Sequence, residues 1–286
     1  MFNRLYFKSR KRDRPLYWWR PTVPHRHGIN SNFGDELNPH LYRLLTDKQP
    51  RQAKATAKNK VLAIGSILAN AQAGDVVWGS GLNGKVLDES GQIRLPPSPS
   101  AIAFNAVRGP LTRNLLVEAG ANVPETYGDP ALLLRLFHPP NPERRGTLVI
   151  PHYSDLAGTL AHWSHPRETV VWNVDSGVEA TLAAINSAAL VVTSALHGII
   201  LAEALGVPVV PFTLSNEEAP FKFEDYHLGT GRSMPRFEEG IEAALCATPP
   251  PPASIPNTLL AGLLRSCPFP LSAASRDLIT SLEAAE

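Results

Sequence analysis

Cysteine is nearly missing from this 286-residue chain, which carries only Cys246 and Cys267, both near the C-terminus. That excludes a disulfide-stapled secreted scaffold, and the lack of any C-x-x-C pair excludes a cysteine-rich metal site; a reducing cytoplasm is the expected setting. Long hydrophobic runs are missing too. No apolar stretch approaches the ~20 residues that span a bilayer, and the chain opens on charge rather than on a signal-peptide core, so neither a spanning helix nor export is expected. There is no P-loop and no G-x-G-x-x-G turn after a first strand, which removes the two commonest glycine-rich phosphate cradles. His25 and His27 lie close together without a further ligand set, so no metal is expected.

What is present has a globular balance, with 43% hydrophobic and 19% charged residues. The length suits one large domain or two ordinary ones. The net charge of +1 hides an asymmetry: residues 1–60 hold 14 Lys/Arg against 4 Asp/Glu, and the other 226 hold 13 against 22. A basic leader on an acidic body suits an anionic partner. No nucleic-acid module accompanies it, so no nucleic acid is expected. Lys8, Arg10, Lys11, Arg12 and Arg14 precede Tyr17, Trp18 and Trp19. Residues 8–20 therefore read either as a peripheral contact with an anionic membrane or as a solvated arm entering a first buried strand.

From Val61 onward short β-branched runs alternate with helical stretches, the rhythm of a parallel α/β fold. Strands are predicted at 61–65, 76–80 and 101–107, with a helix over 110–118 that Pro110 starts and Gly120 ends. His138 to Gly146 holds three prolines and no apolar period, as an interdomain linker does. The rhythm restarts with strands at 147–151, 169–172, 190–193 and 207–212, and helices over 178–188 and 197–205. Two Rossmann-like domains follow, one over 1–140 and one with C-terminal helices over 141–286, with a cleft between them.

Four segments carry candidate chemistry. In Leu190-Val-Val-Thr-Ser-Ala-Leu-His-Gly198 a buried strand runs into a helix whose first turn presents unpaired N–H groups and the positive dipole end. Ser194, His197 and Gly198 sit there, where a phosphate or carboxylate binds well; a capping serine and a structural histidine explain the same residues. In Asn30 to Asn38, either Asn32 or Asp35 caps the next helix, and Asp35 is a candidate acid or base beside an acceptor. Arg108 stands at a strand end, where its planar fork fits an anion bidentately, and Asp129 in Tyr127-Gly-Asp-Pro130 reads as a turn or cap residue. Phe221 to Arg232 reads as a cleft-facing loop in which Lys222 and Arg232 add positive charge.

Taken in order, Asn32-Phe-Gly-Asp35, Gly79-Ser-Gly81, Val107-Arg-Gly-Pro110, Tyr127-Gly-Asp-Pro130 and Ser194-Ala-Leu-His-Gly198 resemble the polysaccharide pyruvyltransferase family. Trp18-Trp-Arg-Pro21, Val77 to Lys85 and Asp225 to Arg232 resemble its ketal-forming branch in xanthan assembly. The resemblance implies a GT-B-like fold, phosphoenolpyruvate as donor substrate with no cofactor, and a lipid-linked oligosaccharide acceptor at the cytoplasmic membrane face. Mapped onto the enol phosphate, Ser194, His197, Gly198, Arg108, Lys222 and Arg232 hold the donor. Asn32 and Asp35 face the acceptor, with His197, Asp35 and Arg108 catalytic. A GT-B nucleotide-sugar glycosyltransferase and a non-catalytic glycan-binding assembly subunit remain as rivals.

Overall fold

The computed structural model describes residues 14–20, 32–152, 169–172, 176–214 and 219–285. Lys8, Arg10, Lys11 and Arg12 of the basic leader lie outside the described residues, as do His25, His27, Gly28 and Asn30.

The first half forms a parallel sheet of β1 (Leu16–Tyr17), β2 (Val61–Leu62), β3 (Val76–Trp78) and β4 (Ala103–Ala106), in that order. Both faces of a parallel sheet are covered, so its strands read as apolar runs. Tyr17 and Trp18, each 5% exposed, belong to this core, and Arg20 is the exposed residue of the stretch, paired with Glu36.

Helix α1 (Phe33–Thr46) is capped by Asn32, whose side chain accepts from the Gly34 N–H. Pro39 lies inside this helix and cannot donate to the Asp35 carbonyl four residues back. The Asn38 side chain fills the gap: its Nδ2 donates to Asp35 O at 3.0 Å and to Ile64 O at 2.9 Å, and its Oδ1 accepts from Ile64 N. The first turn of α1 is thereby fixed to the end of β2. Helix α2 (Pro110–Glu118) starts at Pro110 and stops before Gly120, where φ is 82°.

The second half is a parallel sheet of β5 (Thr147–Ile150), β6 (Thr169–Val171), β7 (Leu190–Thr193), β8 (Val209–Thr213) and β9 (Glu238–Glu239), in the order β6-β5-β7-β8-β9. Helices α3 (Val178–Ser187), α4 (Leu196–Ala204), α5 (Phe221–Gly229) and α6 (Ile241–Cys246) accompany it. The chain leaves β5 toward one edge and returns to build the other from β7, so a topological switch point lies between β5 and β7. The carboxyl ends of strands at such a point are where open α/β sheets bind ligands.

Helices α7 (Asn257–Ser266) and α8 (Ala273–Ala284) cross back to the first sheet. Trp78 Nε1 donates to Leu263 O, Asn105 Nδ2 to Ser266 O and Ser272 N to Leu45 O. One buried cluster runs through Leu37, Trp78, Leu148, Ile200 and Leu263. The molecule is thus a mixed α/β structure on two parallel sheets. Residues 138–146 contain neither helix nor strand. The expected strand and helix limits agree with these to within three residues. The exception is 221–232, expected as a loop and found as α5, with Gly231 at φ 75° just past its end.

Candidate active site

The carboxyl ends of strands from both sheets open onto one cavity of about 360 Å³. From the first sheet come Trp19 after β1, Gly65 and Ser66 after β2, and Asn83 and Lys85 after β3. From the second come Pro151 and His152 after β5 and Ala195 to His197 after β7, which places the switch point at the cavity wall. Asn32 and Asp35 of α1 and Lys222 of α5 complete it. Of the eight site residues expected from sequence, Asn32, Asp35, His197 and Lys222 are brought together.

Asp35 is 5% exposed and its Oδ1 has no hydrogen-bond partner. Burial, reinforced by the charges of Glu36 and Asp129, pushes its carboxyl up to about 8, against the opposing effect of a hydrogen bond from the Trp19 backbone N–H. At neutral pH this group holds its proton. Because Asn32 is the helix cap, Asp35 is released from that duty. Lys222, 6% exposed, brings an ammonium to the wall in the first turn of α5, with Nζ 5.0 Å from the Phe223 ring centroid. His197 is the second residue of α4, whose cap position, Ala195, provides no side-chain hydrogen bond. A helix start without a side-chain cap suits an anionic group. The imidazole stands edge-on to Phe33 with centroids 6.4 Å apart, and its Nε2 lies 3.7 Å from Asp129 Oδ2.

The other four expected residues serve the walls from behind. Arg108 is fully buried, and its guanidinium does not line the cavity. Nε donates to Asp225 Oδ2 at 3.1 Å, one terminal nitrogen to Ser66 Oγ at 2.8 Å, and the other to Leu82 O at 2.6 Å. Its donors face protein acceptors rather than an anion. Arg232 is likewise turned away, in a bidentate pair with Glu203. Ser194 does not cap α4; its Oγ accepts from His152 N at 2.8 Å and ties the ends of β5 and β7 together. Gly198 makes room for Thr193 rather than for a ligand, since a Cβ there would lie 2.2 Å from Thr193 Oγ1. Gly198→Ala is accordingly expected to cost about 1–3 kcal/mol through overpacking, measured as a lower urea midpoint.

Sequence reasoning missed Ser66 and His152, which belong to no patterned segment, and Asn83, which sits inside the Val77 to Lys85 motif. Lys85 lay in a motif without being singled out. Asp129 does cap a short 3-10 helix (Pro130–Leu136) by accepting from Ala131 N, as expected, but its second oxygen faces His197. Among the described residues no cluster of three or more His, Cys, Asp or Glu is placed to hold a metal ion, and no helix is long and apolar enough to cross a membrane.

The sequence model of a family described as polysaccharide pyruvyl transferase matches residues 32–216, well over half of the chain. That span includes Asn32, Asp35, Lys85 and His197 of the cavity, with Trp19 and Lys222 just beyond it. Comparisons with curated proteins and with solved structures give no match. On that match, and with the first and last of its motifs meeting at one cavity, the chain belongs to the polysaccharide pyruvyl transferase family.

Proposed function

We propose that the protein transfers pyruvate from phosphoenolpyruvate to a sugar of a lipid-linked exopolysaccharide repeat unit. The product is a ketal across two hydroxyls, with release of phosphate, and the cavity is the cleft of a GT-B-like pair of domains. The observation that carries this reading is a buried carboxyl with an unpartnered oxygen, Asp35, pushed up to about 8, on the same small cavity as Lys222, Lys85 and the start of α4. An enol phosphate needs that combination: positive groups for its phosphate and carboxylate, and an acid for its methylene carbon.

In this reading Lys222, Lys85 and the first-turn N–H groups of α4 hold the two anionic groups. Asp35 gives its proton to the methylene carbon, leaving C2 electron-poor. A sugar hydroxyl adds at C2 and its proton passes to His197. The C2–O bond to phosphate breaks, the oxygen keeping the electron pair, and His197 passes the proton to the departing phosphate. The second hydroxyl closes the ketal and returns a proton to Asp35. Asn32 faces the acceptor. Arg108 acts at one remove, through Ser66 and α5, rather than on the donor itself.

The test is direct. With phosphoenolpyruvate and a lipid-linked glycan, phosphate release should equal ketal formed, and the donor but no nucleotide sugar should raise the melting temperature. Stabilisation by a nucleotide sugar with no phosphate release would overturn the proposal. Lys222→Met is expected to raise the donor KM about tenfold to a hundredfold, the worth of one charged hydrogen bond, while kcat changes less. Peripheral contact with an anionic membrane through residues 8–20 belongs to the same proposal; it rests on the cations, because Tyr17 and Trp18 are in the core.

A further inference from the structure

Three buried polar atoms at this end of the molecule have no hydrogen-bond partner: Asp35 Oδ1, Asp129 Oδ2 and His197 Nε2. The last two lie 3.7 Å apart, and Asp129 is completely buried. One carboxylate oxygen of Asp129 has a structural duty, since Oδ1 accepts from Ala131 N at 2.9 Å and starts the 3-10 helix. Serine or asparagine would cap as well as aspartate does. The cap therefore leaves the second oxygen, buried, unpartnered and aimed at an imidazole, without a structural reason.

We infer that Asp129 is the positioning residue for His197: its Oδ2 faces the Nε2–H edge of the imidazole and fixes the ring's tautomer and rotation. The Nδ1 edge is then the one that exchanges protons. It lies against Gly34, between the cavity residues Phe33 and Asp35; a Cβ on Gly34 would sit 2.0 Å from Nδ1. The separation of 3.7 Å is longer than a hydrogen bond, and a ring movement of under ~1 Å closes it. Contacts of this kind are commonly long before substrate binds. A buried carboxylate that orients a histidine works through the tautomer it enforces. The same carboxylate contributes to holding the proton on Asp35.

The kinetic consequence rests on the reaction proposed above, whereas the tautomer does not. Asp129→Asn separates the two duties of the side chain. The amide oxygen still accepts from Ala131 N, so the 3-10 helix stays capped, and the amide NH2 turns a donor toward Nε2. Nitrogen NMR of histidine-labelled protein, at a pH where the ring is neutral and with His197→Gln for assignment, should show the proton on Nε2 in the parent chain and on Nδ1 in the variant. The kcat for pyruvyl transfer should fall about a hundredfold or more, with the donor KM within a few-fold and the melting temperature nearly unchanged. Asp129→Ser, which caps but places nothing opposite Nε2, should give mixed tautomers and the same kinetic direction. An unchanged tautomer in Asp129→Asn, or a kcat within about twofold of the parent, would overturn the assignment. A parent chain that releases no phosphate would instead overturn the reaction, with the tautomer experiment still deciding the Asp129–His197 contact.

Discussion

Asp35→Asn is expected to be almost inactive and, at neutral pH, more stable than the parent chain. A positioned general acid contributes typically 10²–10⁴-fold to a rate, and asparagine keeps the shape of the side chain while having no proton to give. The stability gain follows from the sign of the shift. The Asp35 carboxyl titrates near 3.8 when unperturbed and about 8 in the fold, so between those values the folded chain holds a proton that the unfolded chain has lost. Stability from this group therefore falls as pH rises from about 4 to about 8 and is level beyond. At pH 7 the cost amounts to roughly 4 kcal/mol, at about 1.4 kcal/mol per pH unit. The variant escapes it, so its melting temperature should exceed the parent's by a margin that widens with pH across that window. Turnover of the parent should decline as pH passes about 8, where the acid loses its proton. A folded variant with near-parental turnover would show that the proton comes from elsewhere.

Asp225→Ala is expected to be the most destabilising single change at the site, costing about 3–5 kcal/mol, because it strands a buried guanidinium. Asp225 accepts from Arg108 Nε, from Thr112 N at 2.9 Å and from Thr112 Oγ1 at 2.7 Å, and both members of the ion pair are fully buried. The backbones meet directly at this point. A Cβ on Gly109 would lie 1.7 Å from Asp225 O, and one on Gly229 would lie 2.1 Å from Arg108 O. Helix α5 is thereby pressed onto the turn that begins α2, and Lys222, three residues before Asp225, is set in the cavity wall. Thermal unfolding should drop by on the order of 10 °C, and whatever folded protein remains should show a raised donor KM. Arg108→Ala strands the carboxylate instead and should also unfold readily. If Arg108 gripped the donor, that variant would be stable and inactive. Replacing both partners together by leucine and methionine should recover much of the lost stability, because an apolar pair leaves no buried charge.

These two residues also show what a sequence discloses and what it hides. The strands could be read because parallel strands covered on both faces become runs such as Leu190-Val-Val-Thr193. Proline at the start and glycine past the end marked α2. Arg108 was visible at a strand end, but its partner lies 117 residues later, and no local pattern announces a contact of that range. Helix α5 was hidden by its own burial. Lys222, Asp225 and His227 are buried alongside Phe223 and Tyr226, which erases the apolar stripe by which helices are recognised. Gly229 at its last position and Gly231 just past it suggested a loop. Asp35 was ambiguous because Asn32 and Asp35 are both good caps, and only the hydrogen bond from Gly34 to Asn32 settles which one is free.

A crystal structure with phosphoenolpyruvate bound puts the central idea to the hardest trial. The donor should lie in the cavity at the ends of β5 and β7, its phosphate or carboxylate oxygens within hydrogen-bonding reach of Lys222 Nζ and the first N–H groups of α4. Its methylene carbon should face Asp35. A donor bound outside this cavity, or bound in it with Asp35 turned away from the methylene carbon, would contradict the account.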